Sequence, residues 1–193
     1  MCSVQSERQG PFEMWKRVAP AYLALIALAV ASVVAVQANA MAIPENLKVP
    51  QQNRQLFKAQ ATGVQVYACT ERAEAPNTFD WTFKAPVADL WNDQGEKVGK
   101  HYAGPTWEAN DGSKIVGEVV ERANAPDPES IPWLLLRAKA NEGAGALSTV
   151  TYVQRLDTAG GIAPTEGCDR STVGVEREVG YTATYAYYYG AAL

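Results

Sequence analysis

"TWEANDGSKIVGEVVE" spans Thr106 to Glu121, and the reading of its middle decides the fold. Asp111-Gly112 separates two β-type runs, and a two-residue type I′ turn asks for positive φ at both central positions, which this dipeptide tolerates. The stretch predicts an antiparallel hairpin with Trp107 facing Val116. On that register Glu118 shares a face with Val116 and Val120, where a carboxylate must be paired, hydrogen-bonded or functional. The opposite face, with Ile115, Gly117 and Val119, serves equally well as the buried one, so the register stays open.

The same grammar extends in both directions. "GVQVYAC" (63–69) alternates Val64, Val66 and Ala68 against Gln65, Tyr67 and Cys69. "FDWTF" alternates Phe79, Trp81 and Phe83 against Asp80 and Thr82, a half-buried strand with an aromatic face. "VADLW" and "EKVGKHY" form a hairpin across "NDQG", and "WLLLRAKA" and "LSTVTYVQRL" form another across "NEGAG". The stretch from Asp157 to Thr172 is rich in Gly, Pro and Thr and reads as irregular. "VGYTATYAYYY" ends the chain with Tyr181, Tyr185, Tyr187 and Tyr189 on one side of a strand. No segment carries a long amphipathic helical period. About eight short strands mean an all-β fold, an antiparallel β-sandwich or a closed β-barrel.

Residues 1–40 differ from the rest. Arg8, Lys16 and Arg17 precede the uncharged run Val18 to Val36, which closes on "QANA". That order of basic, apolar and small-residue segments reads as a secretory signal peptide cut after Ala40, which leaves no membrane anchor. Residues 41–55, with Pro44 and Pro50, read as a polar extended arm without a core, free to add a strand to a partner. Residues 56–193 form a single all-β domain of a size that supports one core. Of three cysteines, Cys69 and Cys168 survive the cut. An even pair in an oxidising compartment predicts one disulfide, closing a loop of about 100 residues that the chain-entropy model credits with about 4–5 kcal/mol. The destination is extracytoplasmic, periplasm or medium.

A net charge of −4 argues against sequence-independent nucleic-acid binding and against a polybasic membrane patch. "TAGGIAP" has neither the Lys-Ser/Thr of a P-loop nor a dinucleotide fingerprint, so no cofactor is expected. With one histidine left once the cysteines pair, no metal centre is expected either.

Candidate functional residues are therefore few. His101, the only histidine, suits general acid–base work if Asp111 or Glu118 orients it, which would make the protein a hydrolase- or lyase-type enzyme. Its plainer role is a partly exposed strand histidine, or one hydrogen-bonded to a carbonyl. Trp81, Trp91, Trp107 and Tyr185 are the candidates for a stacking pocket that takes a small or carbohydrate-like ligand. With no complete catalytic constellation, the sequence leans toward a binding module rather than an enzyme. A structural or interaction role in the cell envelope is the third reading, and the oligomeric state is left open.

"GVQVYAC", "HYAGPTWEANDGS", "IPWLLL", "YVQRLDTAGGIAPTEGC" and "VGYTATYAYY" together resemble the secreted domain-of-unknown-function family 3455 of bacteria and fungi. The resemblance covers about Leu56 to Tyr189. It implies an extracytoplasmic domain and supplies no reaction, so no residue role is carried over from it.

Overall fold

Alternating side chains and tight turns produce eight consecutive strands in the computed structural model, which describes residues 42–190. They are β1 (Arg54–Glu71), β2 (Phe79–Trp91), β3 (Lys97–Tyr102), β4 (Thr106–Ala109), β5 (Lys114–Ala123), β6 (Trp133–Glu142), β7 (Val150–Gly160) and β8 (Glu176–Tyr189). Each pairs antiparallel with the next, and β8 returns to β1, so the sheet closes as an up-and-down barrel. Of the two architectures the sequence allows, the barrel is the one formed, and it leaves no open sheet edge. The expected signal peptide and its cut after Ala40 lie outside the described residues.

Closure works because small and large side chains alternate across the β1–β8 seam. Ala59 pairs with Tyr185, Ala61 with Ala183, and Phe57 with Tyr187. The alanines make room for the tyrosine rings, and the Phe57 and Tyr187 rings stack at 4.6 Å. The barrel interior is then filled mainly by Tyr181, Tyr185, Tyr187, Trp107, Leu134 and Leu136. Such filling by inward residues of every strand is what a small barrel requires.

Trp107 pairs with Ile115, not Val116, and Thr106 takes Val116. The turn holds three residues rather than two: Ala109 N–H donates to the Ser113 carbonyl at 2.9 Å, and only Gly112 (φ +84°) is left-handed. That is a type I turn closed by a glycine bulge. Asp111 keeps an ordinary φ because its carboxylate accepts from Ser113 N–H at 2.9 Å, Ser113 Oγ–H at 2.6 Å and Ala146 N–H at 2.7 Å. The one-residue change sends Ile115 and Gly117 inward. Glu118 consequently points out of the barrel, where Arg137 Nε donates to its Oε1 at 3.0 Å.

β6 is apolar on both faces for a reason the strand itself does not show. Leu134 and Leu136 face the interior, while Trp133 and Leu135 pack outward with Tyr152, Leu156 and Leu47. Leu47 belongs to the N-terminal arm. The arm does not hang free: a 3-10 turn at Glu45–Leu47 buries Leu47 completely. Gln154 Nε2 donates to the Leu47 carbonyl at 2.6 Å, and Asn46 Nδ2 to the Arg122 carbonyl at 3.0 Å.

Cys69 and Cys168 are bonded, with Cα atoms 5.3 Å apart, inside the reach a disulfide demands. β7 runs four residues into the stretch read as irregular, through a bulge at Asp157 (φ +48°), so the long loop begins at Gly161. Gly174 N–H donates to the Cys69 carbonyl and Cys69 N–H to the Val175 carbonyl, both at 2.9 Å, which fasten the loop beside the covalent tie.

Candidate functional site

β3 and β4 set His101 and Trp107 directly opposite one another, and β8 brings Tyr185 against both. The imidazole and indole stack, with centroids 4.5 Å apart and planes 15° from parallel. Tyr185 meets the indole edge-on at 5.4 Å. Gly117 on β5 permits this, since a Cβ there would come within 2.9 Å of the indole. The three rings floor a cavity of about 590 Å³ within the barrel, a size ordinary for small-molecule sites. Ile131, Leu134 and Leu136 form one wall, and Phe83, Pro105 and Val119 stand at the rim.

Nδ1 of His101 lies 2.8 Å from the Thr106 carbonyl. A carbonyl only accepts, so Nδ1 carries the proton and Nε2 presents a lone pair. Burial pushes the imidazole pKa down to about 3, against the Thr106 bond, which favours the protonated ring; the nearby Arg155 charge adds to the depression. His101 is therefore a neutral acceptor at physiological pH, too weakly basic to abstract protons efficiently.

Two polar residues above the floor carry more weight. Gln65 is 2% exposed, and its Nε2 has no hydrogen-bond partner. Arg155 donates from Nε and Nη2 to the Pro132 carbonyl at 3.1 and 2.9 Å. The indole N–H of Trp107 is also buried without an acceptor, and the Tyr185 hydroxyl, drawn toward Arg155 and Tyr181, closes no full hydrogen bond. Burial raises the Tyr185 phenol pKa, which keeps it a neutral donor. Each orphaned donor costs roughly 1–3 kcal/mol; Trp133 Nε1 and the Tyr181 and Tyr187 hydroxyls are orphaned likewise, on residues outside this cavity's lining.

The sequence candidates thus separate. His101, Trp107 and Tyr185 meet at one floor. Trp81 lies under the long loop, where its Nε1 donates to the Glu166 carbonyl at 2.9 Å and the Arg177 guanidinium sits 5.2 Å above the ring. Trp91 lines a separate, shallow depression with Gln60 and Thr62. Asp111 is held in its turn, and those bonds keep its carboxyl below the usual range. Glu118 faces outward to Arg137, whose hydrogen bond and charge lower its pKa. Neither carboxylate lines the cavity. Among the described residues no three His, Cys, Asp or Glu gather as a metal site. Gln65 and Arg155 escaped the sequence reading. The available signal was periodicity: Arg155 follows the inward Val153 by two, and Gln65 precedes the cavity-lining Tyr67 by two.

Residues 50–189 match the family described as "Protein of unknown function (DUF3455)". No curated protein and no solved structure matches the chain.

Proposed function

The chain belongs to that family, which brings no activity with it, and from the geometry of its barrel we propose that it is an extracytoplasmic binding protein for a small molecule. The ligand occupies the cavity over Trp107, Tyr185 and His101. The observation that carries this reading is the set of buried donors on Gln65, Trp107 and Tyr185, left without partners around a cavity of about 590 Å³. Buried polar groups are nearly always satisfied, and an exception invites a ligand or water. The Cys69–Cys168 bond fits an oxidising compartment. Among the described residues no helix is long and apolar enough to cross a membrane. Binding is favoured over acid–base catalysis because, among the described residues, no carboxylate reaches the His101 imidazole.

The test uses N-phenyl-1-naphthylamine, a neutral fluorescent probe, on the disulfide-bonded protein. Saturable one-to-one binding is expected. Ala103 sits exposed at the cavity rim, so Ala103→Trp plugs the entrance without disturbing the core. That variant should bind the probe at least about tenfold more weakly, a difference of roughly 1.4 kcal/mol, with its melting temperature unchanged. Undiminished binding by the plugged variant would place the probe elsewhere and remove the cavity from the account.

A further inference from the structure

We propose that the ligand is a small organic anion, a ring-sized apolar body carrying one carboxylate- or sulfonate-like group, and that Arg155 is its counter-ion. This rests on the cavity being a ligand site, as argued above, and adds the charge.

The lining includes Lys84, Arg122 and Arg155, yet no Asp or Glu. In a chain of net charge −4 that is a local reversal of sign. Lys84 has an external partner in Glu176. Arg155 has none: no carboxylate among the described residues pairs with it, and its guanidinium contacts a neutral carbonyl. It is only partly exposed, on the inward face of β7. Its charge works against the burial that raises the phenol pKa values of Tyr67, Tyr181 and Tyr185, so it is felt across the whole cavity. A guanidinium partly withdrawn from water and without a counter-charge is a ready partner for an anion.

The rest of the site agrees with that choice. Gln65 Nε2 is a buried donor with nothing to donate to, and an anionic oxygen between it and the guanidinium would satisfy both. Below them Trp107, Tyr185, Leu134 and Leu136 offer aromatic and aliphatic surface to an apolar body. The Nε2 lone pair of His101 accepts from a single N–H or O–H on that body. A neutral sugar fits less well. Its many hydroxyls ask for many acceptors, and this lining has no carboxylate to provide them.

Two matched probes separate the charge from the body: N-phenyl-1-naphthylamine and 1-anilinonaphthalene-8-sulfonate, which differ by the sulfonate. Wild-type protein should bind the sulfonate about tenfold or more tightly than the neutral probe, as expected of charge-assisted hydrogen bonds. Arg155→Gln should abolish that preference while retaining the neutral probe, which also shows that the variant is folded. Arg155→Lys should keep part of the preference. Arg122→Gln, at the rim, should leave most of it. Equal affinity of the wild type for both probes overturns the anion proposal and leaves the cavity reading standing. So does a preference that survives Arg155→Gln. Failure of both probes to bind the wild type overturns both.

Discussion

Replacing Cys69 and Cys168 together by alanine is expected to lower the unfolding free energy by about 4 kcal/mol. The bond spans 99 residues of sequence and encloses β2 to β7, so its loss frees a long stretch of the unfolded chain. In the native state the damage is local. Residues 161–175 have no ladder of their own. They hang on the disulfide, on the two backbone bonds at Cys69, on Trp81 Nε1 to Glu166, and on the Tyr67 hydroxyl, which donates to the Gly161 carbonyl at 2.6 Å. Amide hydrogen exchange should therefore show 161–175 losing protection while β1, β7 and β8 keep theirs. If loop and strands lose protection together, the disulfide supports the barrel as a whole and the local account of the loop is wrong.

Acid should weaken the fold well before its carboxylates titrate, because of one side chain. The unfolded chain takes up a proton on His101 near pH 6.5. The native chain refuses it down to about 3. Stability is therefore complete above pH 6.5 and falls with pH across that window, by about 1.4 kcal/mol per unit, or roughly 2 kcal/mol by pH 5. Only the bond to the Thr106 carbonyl opposes this, and burial outweighs it. Trp107 and Tyr185 face it, Arg155 adds positive charge, and the cavity has no carboxylate. Asp111, Glu118, Asp127 and Asp169 have lowered pKa values of their own, so their contributions are lost only at lower pH. Urea titrations at pH 7 and pH 5 should show the loss in the wild type and its near absence in His101→Gln. An equal loss in both proteins would mean that the buried imidazole is not the acid-sensitive group.

The all-β class, the disulfide and most hairpins were legible in the sequence because alternation and turn residues are local signals. What failed depended on partners far along the chain. The segment Leu56 to Thr62 did not stand out as strand because its inward residues include Ala59 and Ala61, whose small size makes sense only beside Tyr185 and Ala183 on β8. The Asp111-Gly112 turn was read one residue too short, since the Ala146 N–H that helps hold the Asp111 carboxylate comes from the β6–β7 loop, 35 residues further along the chain. The arm looked free because the apolar outer face of β6 that receives Leu47 is invisible from within "ENLKVP".

The candidate site was half legible for a related reason. Aromatic residues were flagged by type, and type alone could not say which rings converge. Trp107 and Tyr185 do, while Trp81 and Trp91 do not. In "GVQVYAC" alternation alone did not say which face is inward. The barrel turns Gln65 and Tyr67 to the cavity and seals Cys69 beneath the loop. A polar inward face is tolerated there because the space beside it is a cavity rather than packed core.

The most direct measurement of the central claim is a 1H–15N titration that follows the indole N–H resonances of Trp81, Trp91, Trp107 and Trp133 as the anilinonaphthalene sulfonate is added. Trp107 lines the cavity and its Nε1 is buried with no acceptor, so its proton should shift strongly and saturate at one equivalent. Trp81, bonded to the Glu166 carbonyl, and Trp91, on its separate depression, should stay in place, as should Trp133 on the outer face of β6. A static Trp107 resonance at probe saturation, or a response led by Trp81 or Trp91, would contradict the account.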